Sequence, residues 1–242
     1  MKPLPAELNT SASLHGLSAF ATLRTRHGQP LLTAEHLARL ADTCTYLGLP
    51  PPETGLPVLE DFPWGLLRLT VTEAGTFYGH RSLPPPAVPA GGVSVWLGRF
   101  QVHPQLGGHK TGNYLPYLLA GQEARVRGEF EGLLSDHLGH VTDGARSGLL
   151  IRHGEHWTVP GGGLPSITRA AWLSELGVPV SVSAISPGML RGARHVWLCG
   201  TGVGVVPVGQ ISSQGSDTEP GWTQEYEVCW PETQHPALII PG

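Results

Sequence analysis

A chain of 242 residues with net charge −4, a pI near 6.3 and 14% charged side chains has room for one large domain or two small ones. The acidic balance excludes a basic nucleic-acid or anionic-membrane surface, and 33 glycines with 23 prolines point to many turns rather than long solvated helices. Cys44, Cys199 and Cys229 are odd in number, far apart and without metal-ligand spacing, so they read as reduced thiols of a cytoplasmic protein with no metal centre. No signal peptide, no apolar run of membrane-spanning length and no H-E-x-x-H cluster is expected among these residues.

In chain order, residues 1–14 carry little pattern. Ala19 to Thr25 alternates as a strand, and His27-Gly28-Gln29-Pro30 is turn chemistry. A helix follows, with Thr33 as its cap, Leu37, Leu40, Cys44 and Leu47 at helical spacing, and Gly48 as its stop before Pro50-Pro51-Pro52. His36, Arg39 and Thr43 share another face of that helix. Leu66 to Val71 reads as a strand, after which Gly75 and Gly79 break the pattern. Arg81 to Pro89 is a proline-rich connection, and Val93 to Val102 is a strand running towards a glycine pair.

Beyond that pair, a helix over about Tyr114 to Arg127 carries Leu115, Leu118, Leu119, Gln122 and Val126 on one side, and Gly128 closes it. Short strands follow over Leu133 to Leu138 and Val141 to Asp143. Gly148 to Arg152 and Trp157 to Pro160 flank the turn His153-Gly154-Glu155 as a hairpin. Gly161-Gly162-Gly163 leads through Leu164-Pro165-Ser166 into a helix ending at Leu176. Val178 to Val182 and His195 to Cys199 are strands, and Gly200 to Gly204 turns into Val205 to Val208. The last twenty residues are polar and broken by prolines.

The stretch with most chemical content is Gly107-Gly108-His109-Lys110-Thr111-Gly112-Asn113-Tyr114-Leu115-Pro116. It sets a lone lysine between an extended segment and a helix start, where Asn113 can cap and Pro116 is tolerated in the first turn. Such a lysine suits an amine that attacks a carbonyl, as in pyridoxal phosphate (PLP) enzymes; taken alone it also fits a solvated loop. Two turns could hold a phosphate: Pro165-Ser166-Ile167-Thr168 at a helix start, and Gly200-Thr201-Gly202 between strands. Neither has a nucleotide-binding context, since no G-x-x-x-x-G-K-[ST] and no strand-borne G-x-G-x-x-G is present.

Taken together, these segments resemble the class IV aminotransferases, the group holding branched-chain and D-amino acid transaminases and aminodeoxychorismate lyase. The likeness runs from His15-Gly16 and Phe20-Ala21-Thr22-Leu23-Arg24, through His36-Leu37-Ala38-Arg39-Leu40 and the lysine segment. It continues in Gly139-His140-Val141-Thr142-Asp143-Gly144, Leu164-Pro165-Ser166-Ile167-Thr168-Arg169, and Gly200-Thr201 with Val206-Pro207-Val208.

The resemblance implies an α/β (α+β) protein with the two-domain D-amino acid/branched-chain aminotransferase-like PLP fold. A small N-terminal domain would span residues 1–100, a linker 101–107 and a larger C-terminal domain 108–242, with PLP in the cleft between them. It implies that Lys110 carries the cofactor and moves the substrate's Cα proton. Arg39 would bind the phosphate with the amides of Ile167 and Thr168 and with Thr201. Asp143, where the family usually has glutamate, would pair with the pyridine nitrogen. Arg99 and Arg24 would take substrate carboxylates. Two departures stand beside these matches: Ser166 replaces the family's glycine before Ile-Thr, and Gly148 replaces an asparagine. A homodimer in the cytoplasm is implied, acting on a small amine or amino acid and on neither nucleic acid nor membrane. The short length and Lys-Thr-x-Asn-Tyr-Leu resemble the aminodeoxychorismate lyase branch of folate biosynthesis. A branched-chain or D-amino acid transaminase, and a catalytically degenerate member, are the alternatives.

Overall fold

The computed structural model describes residues 5–213, so Cys229 and the proline-broken C-terminal stretch lie outside the described residues. The described residues form two compact units, 5–84 with 109–114, and 85–108 with 115–213.

The first unit grows from an alternating strand. In β1 (Ala19–Arg26), Ala19, Ala21 and Leu23 point to one face; β3 (Gly65–Thr72) matches them with Leu67, Leu69 and Val71. With β2 (Gln29–Pro30) and β4 (Gly75–Ser82) these strands make an antiparallel sheet in the order β2-β1-β3-β4. After the short helix α1 (Ser11–His15), the helix α2 (Thr33–Leu47) lays Leu40 and Cys44 on that apolar face. Leu23, Leu40 and Leu67 are fully buried, and truncating any of them to alanine costs about 2–5 kcal/mol in such a setting. The opposite face of β1 carries Phe20, Thr22, Arg24 and Arg26.

Two local expectations are corrected here. Thr33 is the first helical residue, not the cap: Leu32 holds that place at φ 52°, and the Thr33 hydroxyl donates to the Pro30 carbonyl at 3.3 Å. Gly75 and Gly79 do not end the sheet; they sit in β4, which pairs with β3 along its whole length. An exposed edge strand has no core face to impose alternation, so its sequence reads as a break.

The second unit is built on an eight-stranded sheet in the order β10-β9-β8-β11-β12-β5-β6-β7, in which β7 pairs back to β8 and closes six of the strands into a barrel-like ring. The strands are β5 (Val93–Gln101), β6 (Glu131–Ser135), β7 (Val141–Gly144), β8 (Gly148–His153), β9 (His156–Pro160), β10 (Val180–Ser183), β11 (His195–Gly200) and β12 (Gly204–Ser213). Valine, leucine and isoleucine side chains from seven elements fill its main core, and a second cluster stacks Trp157 on Trp197 at 5.2 Å with Trp172 edge-on to both. The expected hairpin is β8–β9.

β5 is hydrogen-bonded between β12 and β6, so the second unit begins at residue 85 rather than beyond a linker at 101–107, and residues 109–114 join the first unit. The helix α3 (Leu115–Val126) turns Tyr117, Ala120 and Ala124 inward and leaves Leu115, Leu118 and Val126 exposed. Gly132 of β6 permits the close approach, since a Cβ there would run into the Ala120 carbonyl. The helix α4 (Ile167–Leu176) has the expected bounds, whereas α5 (Pro187–Gly192), capped by Ser186 on the Met189 amide, has too short a pattern to read in the sequence. Among the described residues no helix is long and apolar enough to cross a membrane.

Candidate active site

In the first unit, main-chain pairing fixes Lys110. Its carbonyl accepts the Phe20 amide at 2.9 Å, Thr111 bridges to Ala19, and the Gly112 amide donates to the Ser18 carbonyl at 2.7 Å. The lysine segment thus runs along the start of β1. Gly112 permits that approach: a Cβ there would stand 2.7 Å from the Gly16 carbonyl oxygen and closer still to the Ser18 hydroxyl. The Lys110 amide donates to Thr43 Oγ1 at 3.4 Å, and His109 stacks on Tyr46 at 3.8 Å, so α2 supports the segment from beside it.

The half-buried Lys110 Nζ lies 3.2 Å from the Tyr114 hydroxyl and 4.6 Å above the Phe20 ring, with Phe20 and Tyr114 in an edge-to-face pair. The Arg68 guanidinium stands 3.8 Å from the same Phe20 ring. On α2, Arg39 is half-buried and its carbonyl accepts the Thr43 hydroxyl at 3.0 Å; one turn earlier, His36 is 2% exposed, and its Nδ1 is buried with no hydrogen-bond partner. A primary amine on an aromatic platform and a neighbouring arginine therefore occupy one unit, with a buried imidazole behind them.

Burial, reinforced by the charges of Arg39 and Lys110, pulls His36 down from 6.5 to about 3, so the folded state keeps it neutral. A base whose pKa falls on folding binds protons more readily in the unfolded chain, so its effect on stability is nil above pH 6.5 and grows as pH falls towards 3. The chain is expected to lose about 1.4 kcal/mol per pH unit from this group across that window. His36→Gln should flatten that part of the slope; urea midpoints at pH 7 and pH 4.5 measure it, and an identical slope in the variant would remove His36 as the cause.

In the second unit, Asp143 lies in β7, 3% exposed. Its Oδ1 accepts the Gly144 amide and its Oδ2 the Leu164 amide, each at 3.2 Å. Leu164 is held there because Gly163 packs against the Thr142 carbonyl. The turn after Asp143 is pinned by Glu131, whose side chain has no exposure: it accepts the Arg146 and Ser147 amides at 2.9 and 3.0 Å and the Ser147 hydroxyl at 2.7 Å. Burial and the nearby Asp143 charge both raise the Tyr117 phenol, so it stays protonated.

Ser166 caps α4 by accepting the Arg169 amide at 3.2 Å, which leaves Ile167 and Thr168 in the first turn at the positive end of the helix. Its φ of −85° is ordinary for any residue, so serine in place of the family's glycine brings no strain at this turn. Thr168 is 4% exposed, and Thr201 lies in the turn between β11 and β12, closed by the Val203 amide on the Gly200 carbonyl. Arg169 donates to the Leu149 carbonyl at 2.7 Å; burial lowers its guanidinium, while Cys199 and Asp143 pull it back up. The Cys199 thiol is itself pushed up to about 12 by burial, so it is no nucleophile.

The predicted residues thus fall into two sets: Lys110, Arg39 and Arg24 in the first unit, and Asp143, Ile167, Thr168, Thr201 and Arg99 in the second. Arg24 is 4% exposed and commits Nη1 to the Leu83 carbonyl at 2.7 Å, whereas Arg99 is exposed near Phe100. The sequence reading missed Phe20, Tyr114 and Arg68 around the lysine and Glu131 and Arg169 around Asp143. Phe20 and Arg68 carried a signal, since a large aromatic and an arginine stand on the strand faces turned away from the core. Glu131 carried none. Taken unit by unit, the chemistry suits a phosphorylated pyridine aldehyde: the first unit offers an amine for an aldehyde and an arginine for a phosphate, and the second a buried carboxylate for a ring nitrogen and helix-end amides with threonine hydroxyls for a phosphate.

The fold is that of the fold type IV aminotransferases. The family model for amino-transferase class IV matches residues 18–211, and the chain belongs to that PLP-dependent family. The branched-chain-amino-acid aminotransferase of Escherichia coli K12 is 37% identical over 106 residues, which are 41% of this chain and 34% of that protein. The matched stretch therefore spans about a third of the length of that curated relative. A solved structure of a candidate 4-amino-4-deoxychorismate lyase is 40% identical with a TM-score of 0.77, covering 86% of this chain and 90% of that one. The fold is also that of a branched-chain amino acid aminotransferase from T.th., complexed with N-(5'-phosphopyridoxyl)-L-glutamate. That structure has a TM-score of 0.72 at 21% identity over 86% of this chain and 82% of its own.

Proposed function

We propose that this chain is a 4-amino-4-deoxychorismate lyase, releasing pyruvate and 4-aminobenzoate, the latter a folate precursor. The observation that carries the reading is the 40% identity, over most of both chains, to a candidate enzyme of that activity. Lys110 is assigned as the residue that carries PLP. Arg39, Thr168 and Thr201, with the amides of Ile167 and Thr168, would bind its phosphate, and Asp143 would pair with its ring nitrogen. When bound, PLP supplies an electron-withdrawing ring that stabilises negative charge at the carbon bearing the substrate's amine.

Lys110 Nζ would be the base that takes the proton from that carbon. The Tyr114 hydroxyl at 3.2 Å orients the amine, and the Phe20 ring shields one side of it from water. The C–O bond to the enolpyruvyl group then breaks, a proton ends on the departing group as pyruvate, and the ring is left aromatic. A substrate with two carboxylates calls for cations beyond the phosphate site. Arg99 and Arg24 are the assigned candidates, and Arg68 on the lysine's aromatic platform joins them.

The full chain with PLP and 4-amino-4-deoxychorismate is expected to form 4-aminobenzoate and pyruvate in equal amounts with no amino acceptor added. Conversion of the bound cofactor to its pyridoxamine form by leucine, D-alanine or glutamate, with no 4-aminobenzoate formed, would assign a transaminase instead. Neither reaction in a PLP-loaded chain would make it a degenerate member. We further propose that the working form is a cytoplasmic homodimer, as the family resemblance implies.

A further inference from the structure

We propose that Ser166 is a positioning residue for the phosphate-binding groups, and that Gly148 leaves the space its side chain fills; the role rests on the PLP reading above. Gly148 begins β8, paired with Asp143 of β7 on one side and with Cys199 of β11 on the other. A Cβ on Gly148 would stand 2.7 Å from Ser166 Cβ and 3.2 Å from Arg169 Nη1. Such a separation is far inside carbon–carbon contact, so one of the two residues must shift if both carry a Cβ. With glycine at 148, the Ser166 hydroxyl reaches across and donates to the Cys199 carbonyl at 2.8 Å while accepting the Arg169 amide at 3.2 Å.

That single hydroxyl ties the N-terminus of α4, which presents Ile167 and Thr168, to the end of strand β11, two residues before Thr201. The Arg169 bond to the Leu149 carbonyl fixes the same helix end to β8. Two separate pieces of the proposed phosphate site are thereby held in register by a group that need not touch the phosphate.

Four variants of the full chain test this: Ser166→Ala, Ser166→Thr, Gly148→Ala, and Gly148→Ala with Ser166→Gly. PLP affinity is read by absorbance titration and Tm is read without PLP. Ser166→Ala keeps the volume but loses both bonds, and should weaken PLP binding by about tenfold, whereas Ser166→Thr keeps the hydroxyl and should bind as wild type. Gly148→Ala should lower Tm by about 2–10 °C, and adding Ser166→Gly should restore most of that loss without restoring PLP affinity. Wild-type affinity in Ser166→Ala would overturn the positioning role. A Gly148→Ala chain as stable as wild type, or a double variant no more stable than Gly148→Ala, would overturn the coupling. Wild-type protein that takes up no PLP would overturn the reading of the site and this role with it, while the Tm series still decides the steric coupling by itself.

Discussion

Lys110→Ala is expected to reduce turnover on the order of 10³-fold or more, because it removes both the amine that carries the cofactor and the base that moves the proton. Borohydride treatment of the PLP-loaded wild-type chain should fix the cofactor to the peptide containing Lys110, and the variant should yield no labelled peptide. The chain has two lysines, so the assignment is sharp: label on Lys2, or none on the wild type, would remove Lys110 from the chemistry. Residual PLP binding in Lys110→Ala is compatible with the assignment, since the phosphate contacts assigned to Arg39 and the α4 N-terminus remain. Restoration of part of the rate by added methylamine, with none by equimolar sodium chloride, would tie the loss to the missing amine rather than to a disturbed β1 start. The fold gives reason to expect such rescue, because the main-chain bonds of residue 110 to Phe20 and Thr43 do not involve the amine.

Asp143→Asn and Arg39→Ala are expected to fail in opposite ways. Asparagine keeps an oxygen for only one of the Leu164 and Gly144 amides, which aspartate serves with separate oxygens, but Glu131 still holds the following turn, so PLP should remain bound. The ring nitrogen loses its ionic partner, and the chemical step should slow by about 10²-fold or more. Arg39→Ala removes the proposed charge-assisted contact to the phosphate and should weaken PLP binding by about 1.5–3 kcal/mol, with the rate at saturating PLP far less affected. Equilibrium dialysis for affinity and single-turnover kinetics for the chemical step separate the two. Equal loss of PLP binding in both variants would make Asp143 a structural residue of the β7 turn.

Much of the candidate site was legible because several of its features are local. A glycine pair, a lysine and a following helix start are contiguous in sequence, and Ser166-Ile167-Thr168 needs only its own helix to present amides. Strands with one buried face, such as β1 and β3, declare themselves by alternation. β4 did not, because an edge strand with mostly exposed residues has no packing demand to write into its sequence. On α3 the leucines were the conspicuous residues, yet the face that packs is Tyr117, Ala120 and Ala124, with Gly132 of β6 set close against the Ala120 main chain.

By itself, then, the sequence determined the secondary-structure order through most of the described chain and the family pattern, and it singled out the lysine and the helix-end amides as candidates. Only the tertiary structure decided which distant residues stand behind them: Phe20 beneath the Lys110 amine, Glu131 holding the turn after Asp143, and Ser166 filling the gap that Gly148 leaves. It also assigned β5 to the second unit and residues 109–114 to the first. The physical reason is the same in each case. Propensity, capping and alternation act over a few residues, whereas strand pairing and the fit of one side chain into the space beside another join positions tens of residues apart.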